Sequence, residues 1–294
     1  MQEIFPNYYE KFKCIADRCR HSCCIGWEID VDEDTLDFYS SLDSELGERI
    51  RNSIEGDVPH FALSEDERCP FLNKRGLCDI ISELGEDGVC DICRMHPRFV
   101  NVYDGFSETG LGLCCEEAAR IVLTETEKFS LELPDEAKNN AFFKERGEVL
   151  DILQDRRVGI GERLKRLAEK YGLRWELSGD ELYRLYAPLE RLDKSWDKEL
   201  EHLLEPSDVT ALEREDAQIF FEQLACYFVF RHFDGGVGFA LIGCIVLGAI
   251  CADCESIDQM LDKARMYSSE IEYSEENTQK VKEYMKEKNK YERH

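Results

Sequence analysis

Lys13-Cys14-Ile15-Ala16-Asp17-Arg18-Cys19-Arg20-His21-Ser22-Cys23-Cys24-Ile25-Gly26-Trp27 sets the character of this chain. Four cysteines fall between Cys14 and Cys24. On a helix, Cys19 and Cys23 (i, i+4) would share a face and could share a metal. Cys24 would point about 100° further round, toward another edge of a cluster or a second site. Two adjacent thiols are hard to explain by packing alone.

Reading outward, the same chemistry recurs. Cys69-Pro70-Phe71-Leu72 leads to Gly76-Leu77-Cys78-Asp79-Ile80, and Cys90-Asp91-Ile92-Cys93-Arg94-Met95-His96-Pro97-Arg98 follows. Cys90 and Cys93 have the two-residue spacing of a metal knuckle. Cys114-Cys115 opens Glu116-Glu117-Ala118-Ala119-Arg120. Of 14 cysteines in 294 residues, ten lie between Cys14 and Cys115, more than one four-coordinate site takes up. Spacing does not choose the metal, since iron–sulfur clusters and zinc both accept four thiolates. His21 and His96 could supply nitrogen but read as loop or cap residues. Cys251-Ala252-Asp253-Cys254 repeats the knuckle spacing at the end of an apolar run, where small packing residues are expected.

The opening Met1-Gln2-Glu3 shows neither a basic nor an apolar signal segment, which leads us to expect a cytoplasmic, reducing compartment. There, clustered cysteines are metal ligands or catalytic groups rather than disulfides. A formal charge of −26, from 37 basic and 63 acidic residues, argues against nucleic acid as a partner. It would favour a basic or lysine-rich partner, although solubility is its plain meaning. The uncharged run Gly235–Ala252 is at the lower edge of a membrane-spanning length. Its glycines at 238, 243 and 248 and its acidic flanks argue instead for a buried core helix, with no membrane partner.

Texture divides the chain near residue 125. Residues 1–125 are short segments punctuated by cysteine, glycine and proline, as expected of short helices and loops wrapped on metal. A helix is expected over Asp32–Leu46. Residues 126–294 carry helical periodicity. Ala141–Leu173 is broken at Gly159 and Gly161, Glu181–Leu204 is bent at Pro188, and Asp216–Phe233 is strongly apolar. The fold class expected is mainly α, a cysteine-rich metal-binding region followed by a helical domain.

In that order the motifs resemble the flagellin lysine-N-methylase family. The resemblance runs from Tyr8-Tyr9-x-x-Phe12-x-Cys14 through Cys19-x-x-Ser22-Cys23-Cys24-x-Gly26-Trp27, Arg68-Cys69-Pro70-Phe71-Leu72 and Gly76-Leu77-Cys78-Asp79-Ile80. It continues through Leu84-Gly85-Glu86, Cys90-x-x-Cys93-Arg94-x-x-Pro97-Arg98, Glu108 and Cys115-Glu116-Glu117-Ala118-Ala119-Arg120. Weaker echoes follow at Ile152–Arg156, Glu162–Leu164 and Tyr227-x-x-x-Arg231-His232-Phe233. The cysteine part alone is also similar to a broader family of zinc- or iron-chelating CxxxCxxCC proteins.

The family resemblance implies methyl transfer from S-adenosylmethionine to lysines of flagellin or a similar protein. It implies a 4Fe-4S cluster as the metal centre, with zinc as the alternative, on Cys14, Cys19, Cys23, Cys24, Cys69, Cys78, Cys90, Cys93 and Cys115. The radical spacing CxxxCxxC is not met, because Gly26 stands where its third cysteine would be. No strand–glycine-loop–helix nucleotide motif is present either. A lysine ammonium must lose its proton before it can attack. Aromatic and acidic candidates for that site are Tyr8, Tyr9, Tyr39, Tyr103, Tyr227, Glu108, Glu116 and Glu117. Arg94, Arg98, Arg120 and Arg231 could hold the donor's carboxylate, and Trp27 could shield metal or stack on adenine. The competing readings are a non-enzymatic zinc- or iron-binding interaction module and an iron–sulfur redox protein.

Overall fold

The computed structural model describes residues 1–205, 210–233 and 236–291. It is mainly α, and it divides into two compact units. Lys13–Phe99 form the smaller unit; Met1–Phe12 and Val100–His294 form the larger, so the smaller is an insertion in the larger. Residues 100–125, grouped by texture with the cysteine-rich region, lie in the larger unit. The reason is the strand Phe106–Leu111, which pairs in parallel with Gln2–Ile4, Gln2 opposite Phe106.

In the smaller unit, the helix expected over Asp32–Leu46 is two helices, Glu33–Ser41 and Glu45–Arg51. Asp32 caps the first, accepting from Thr35 N at 2.9 Å, and Ser44 caps the second, accepting from Gly47 N at 3.0 Å. Arg51 closes the first helix by donating to the carbonyls of Tyr39 and Leu42, both at 2.9 Å. A two-residue ladder pairs Ile54–Glu55 with His60–Phe61. Short helices follow at Asp79–Leu84 and Asp91–Met95. The core is small: Tyr39, Phe61 and Phe71 pack with Ile29, Val31, Leu46, Ile50, Ile80 and Val89 and, in the same cluster, Cys69 and Cys90.

A three-stranded sheet that texture alone did not suggest has Phe106–Leu111 between Gln2–Ile4 and Arg98–Tyr103, the last strand belonging to the larger unit from Val100 onward. Every residue of that central strand is buried, so it shows no polar alternation. Asp104-Gly105 forms the hairpin turn, and Gly105 has a φ of 82°, where a side chain would be strained. The helices Ala141–Leu153 and Ile160–Tyr171 follow, the second starting after Gly159 and ending at Gly172 in the left-handed region. The expected Pro188 bend is a break between the helices Gly179–Tyr186 and Trp196–Glu201.

At the centre lie Gln218–His232 and Gly238–Ile250, apolar on nearly every face as core helices are. Gly235, the first residue of the long uncharged run, lies outside the described residues. A Cβ at Gly243 would sit 2.7 Å from the Phe228 ring, one at Gly238 2.8 Å from Met285 Cβ, and one at Gly248 2.9 Å from Leu212 Cγ. The glycine spacing therefore seats the helix against three different neighbours at once. At 13 residues it is about 20 Å long, and no helix among the described residues is long and apolar enough to cross a membrane.

Candidate functional site

The smaller unit gathers thiols from several chain segments. The backbone around Cys19 to Cys24 is a three-residue 3-10 turn at Ala16–Arg18 followed by loop, not a helix, so the shared helical face expected of Cys19 and Cys23 does not form. Instead Cys69 N donates to Cys24 O at 2.8 Å, joining the first cysteine group to the second. Asn73 then turns the chain: its Oδ1 accepts from Arg75 N and Leu77 N, and its Nδ2 donates to Asp79. Arg49 holds the same turn from outside, donating to Asp79 and Pro70 O while lying 5.0 Å over the Phe71 ring. Asp32 reaches the third group, accepting from Asp91 N at 2.8 Å directly after Cys90. Burial would raise its carboxyl, but the hydrogen bonds from Asp91 and Thr35 hold it below its ordinary value.

These ties bring Cys24, Cys69, Cys78, Cys90 and Cys93 onto one small core. Cys69, Cys78 and Cys93 each feel the charge of others of the set. Cys90 and Cys93 share a hydrogen bond with their sulfurs 3.7 Å apart, near the ~3.8 Å edge of a thiolate tetrahedron built on Zn–S bonds of 2.3 Å. Burial pushes the Cys69 thiol up to about 12 and raises Cys78 as well. A hydrogen bond from Cys23 draws Cys24 down to about 7 against the effect of burial, helped by Ser22 and Arg68. Among the described residues only Cys90 and Cys93 of this set stand at ligand spacing, since no three of the five sulfurs lie within 4.8 Å of one another. As thiolates, soft donors of this kind need a cation of high charge, so the donor type rather than a preformed site points to a soft metal.

The remaining sequence candidates for ligation are placed differently. Cys14 and Cys23 are exposed and Cys19 is half-buried, all in the smaller unit. Cys115 is half-buried in the larger unit, at the start of the helix Glu116–Leu123.

The non-metal candidates sort by their partners. Glu108 is fully buried against Arg146, bidentate, with one bond of 2.7 Å. Glu117 holds Arg120 at 2.6 and 2.8 Å, and Arg94 pairs with Asp91. Glu116 and Trp27 are half-buried, and Arg98 donates to Arg94 O at 3.4 Å. Tyr39 is buried in the smaller unit and donates to Gly88 O at 2.9 Å. Tyr9 packs on Phe5, and Tyr103 packs on Phe142 and Phe143.

Three candidates meet in the core of the larger unit. Arg231 Nη1 donates to Tyr227 Oη at 2.7 Å, and that hydroxyl contacts the Glu272 carboxylate at 3.0 Å. Tyr8 is fully buried nearby; burial, Cys226 and Glu272 raise its phenol while Arg231 lowers it. Its hydroxyl has no hydrogen-bond partner among the described residues. The sequence reading missed Glu272 and named His232 only within a family motif, giving it no role; His232 Nε2 lies 2.7 Å from Glu272. Burial would raise the Glu272 carboxyl, but Arg231 and His232 outweigh it and hold it low. Burial raises Tyr227 and Tyr273. Glu272 ends a π-helical turn, Ser268–Glu272, a backbone form frequent at functional positions. The available signal was an ionisable pair, Arg231-His232, closing an otherwise apolar helix.

Fold and site together define a mainly helical protein with a thiol-lined core in an inserted unit. Its likenesses are particular. The chain is similar to the lysine-N-methylase of Salmonella typhimurium, 26% identical over 136 residues, covering 43% of this chain and 33% of that protein. The same figures relate it to the lysine-N-methylase of Salmonella choleraesuis. It is also 25% identical over 134 residues to the flagellar biosynthetic protein FliU of Salmonella muenchen, covering 43% of this chain and 79% of that one. The aligned stretch spans about a third of the two methylases, and these likenesses support the resemblance to the flagellin lysine-N-methylase family. No family model and no solved structure matches the chain.

Proposed function

We propose that this protein is a protein-lysine N-methyltransferase that uses S-adenosylmethionine and acts on lysines of flagellin or a similar partner. The observation that carries this reading is the likeness to two proteins named lysine-N-methylase. The donor supplies a sulfonium methyl group. In the transfer an N–CH3 bond forms, the S–CH3 bond breaks with its electrons staying on sulfur, and S-adenosylhomocysteine leaves. The lysine must already have lost its proton, which desolvation favours. Tyr8 and Tyr227 are the candidate aromatic walls for that lysine, gathered by the fold beside the ionised Glu272.

In this reading Cys24, Cys69, Cys78, Cys90 and Cys93 provide the ligands of a metal centre, a 4Fe-4S cluster or zinc. Such a centre would supply cross-linking of the three cysteine groups and, at an open position, Lewis acidity. The sulfur separation at Cys90 and Cys93 favours zinc as the second reading of the metal.

The test is anaerobic purification with iron, zinc and acid-labile sulfide measured per chain, followed by incubation with flagellin and labelled donor. Lysine methylation supports the proposal. Intact metal with no methyl incorporation into flagellin or other lysine-rich proteins would remove the enzymatic reading and leave a metal-stabilised interaction module.

A further inference from the structure

The larger unit holds its own pair of thiols at two-residue spacing, Cys251 and Cys254. The helix Gly238–Ile250 ends here: Cys251 N donates to Leu247 O at 2.9 Å, and the chain turns at once. Cys254 N donates back to Cys251 O at 3.1 Å, closing a four-residue turn. Such a turn holds its first and last Cα atoms within about 7 Å. A disulfide spans Cα atoms about 4.4–6.8 Å apart, so the turn already sets the two residues close to bridging range. Arg214 fastens the turn from outside, donating to Cys254 O and, at 2.7 and 3.0 Å, to Asp216.

Packing alone does not account for this pair. Cys226 and Cys244, in the two central helices, are fully buried, and burial raises both thiols. Cys251 is likewise fully buried, but Cys254 keeps 8% of its surface exposed and has two cations beside it, Lys263 and Arg214. A hydrogen bond from the Cys251 thiol, with help from those cations, holds the Cys254 thiol below its ordinary value against burial. The same bond raises Cys251, and burial adds to it. Glu199 opposes the cations, but it is itself paired with Lys263. The dithiol is therefore asymmetric, with an outer sulfur that ionises readily and an inner one that keeps its proton.

Metal binding is the other use of this spacing. Among the described residues, the groups that act most on the pair are each other, Lys263, Arg214 and Glu199, and none is a third thiol. Asp253, between them in sequence, stands instead with His202 and Glu205, a group that takes in neither sulfur. Two sulfurs beside two cations make a poor place for a third cation.

We infer that Cys251 and Cys254 form a redox-active dithiol that reduces small disulfides, Cys254 attacking and Cys251 resolving. The Cys254 thiolate attacks one sulfur of the oxidant R–S–S–R. A Cys254–S–S–R bond forms, and a thiolate leaves with the electron pair of the broken bond. Cys251 then gives its proton to solvent and attacks the Cys254 sulfur. The Cys251–Cys254 bond forms, the second thiolate leaves, and both leaving groups take up protons from water. Two electrons pass from the protein dithiol to the small disulfide, and an external dithiol reverses the exchange. Neither step draws on the methyltransferase reading.

The metal-loaded full chain, purified without oxygen, is treated with millimolar oxidised glutathione, alkylated and mapped by peptide mass. Expected is a loss of two hydrogens located between residues 251 and 254 and reversed by dithiothreitol. Cys226 and Cys244 should remain free thiols, alkylated once the chain is unfolded. Cys251→Ser should stop at a glutathione adduct on Cys254, and Cys254→Ser should form roughly tenfold less adduct on Cys251. Thermal midpoints show whether the variants fold, and the wild-type map needs neither. Free thiols at both positions after treatment, a bridge to Cys244, or an adduct chiefly on Cys251 would overturn the proposal. So would a fall in metal content per chain in folded Cys251→Ser, which would make the pair ligands.

Discussion

Removing the Glu272 carboxylate separates a working core ion network from a merely crowded one. Glu272 has no exposed side-chain surface, while Arg231 and His232, its partners, expose 11% and 8% of theirs. In Glu272→Ala the buried guanidinium loses its counter-charge and keeps only the Tyr227 hydroxyl and the backbone carbonyl of residue 272 as acceptors, while the Tyr227 hydroxyl loses its own acceptor. Breaking a buried pair from one side costs about 3–5 kcal/mol, because the stranded charge cannot be resolvated. In a body this size each kcal/mol moves the thermal midpoint by about 2–4 °C, so a fall of roughly 6–20 °C is expected. Lys138→Ala, which breaks a pair with Asp135 on the surface, should leave the midpoint in place. Differential scanning calorimetry and urea unfolding followed by tryptophan emission give the comparison, since Trp196 is fully buried in the larger unit. Replacing both charges, as Arg231→Met with Glu272→Leu, should recover part of the loss. A drop under about 1 kcal/mol for Glu272→Ala would refute the reasoning, because it would mean that water reaches Arg231.

Acid should weaken the same region in two stages. Burial holds the His232 imidazole below its ordinary value of about 6.5, despite the pull of Glu272. The unfolded chain therefore takes up that proton first, and stability falls as pH drops below about 6.5. The Glu272 contribution is full above the ordinary carboxylate range and is lost as pH falls through its lowered value. Urea titrations at several pH values should show the first stage vanish in His232→Gln. Gly179→Ala would place a Cβ 1.7 Å from Leu203 O and should cost about 1–3 kcal/mol, read from the urea midpoint. Gly147→Ala, mid-helix with nothing within 4 Å of the added carbon, should instead stabilise by about 0.5–1 kcal/mol. Cys90→Ser should lower metal content per chain, while Cys226→Ser, buried in the larger unit, should leave it unchanged; metal analysis of both variants decides this.

The helices of the larger unit were legible because a single face or a whole surface must be apolar to bury them, and Ala141–Leu153, Ile160–Tyr171 and Gln218–His232 show that directly. The sheet was less so. Phe106–Leu111 contains Ser107, Glu108 and Thr109, which look solvent-facing until Arg146 is found on Glu108. Such pairings lie 38 residues apart and leave no periodic trace. Local periodicity also misled at Cys19 and Cys23, where i, i+4 spacing suggests a helix and the chain instead takes loop geometry. The thiol gathering was legible in number but not in membership. Distances in sequence said nothing of Cys24 O meeting Cys69 N, the contact that chooses Cys24 rather than Cys19 for the core.

The same contact has a consequence for metal removal. The core of the inserted unit sets Ile29, Val31, Leu46, Ile50, Ile80 and Val89 around Tyr39, Phe61 and Phe71, and Cys69 and Cys90 occupy buried positions in the same cluster. With about 87 residues (13–99), the unit buries a smaller share of its chain than a full-sized domain does, so a metal cross-link would make up a large part of its stability. Metal bound by thiolates from the segments at 24, 69–78 and 90–93 would then be folding free energy for that unit, on the order of 10 kcal/mol for a structural zinc site. The larger unit has its own helical core and no share in that dependence. Anaerobic chelation followed by hydrogen exchange should therefore raise exchange across 13–99, most of all at Cys69, Asp79 and Asp91, whose amides are bonded within the thiol-bearing turns. The helices Gln218–His232 and Gly238–Ile250 should keep their protection. Equal loss of protection in both units would show one cooperative body whose stability does not reside in the thiol core. Unchanged exchange across 13–99 after verified metal loss would mean that the aromatic cluster of Tyr39, Phe61 and Phe71 is sufficient, and the metal would then have to be retained for chemistry rather than for folding.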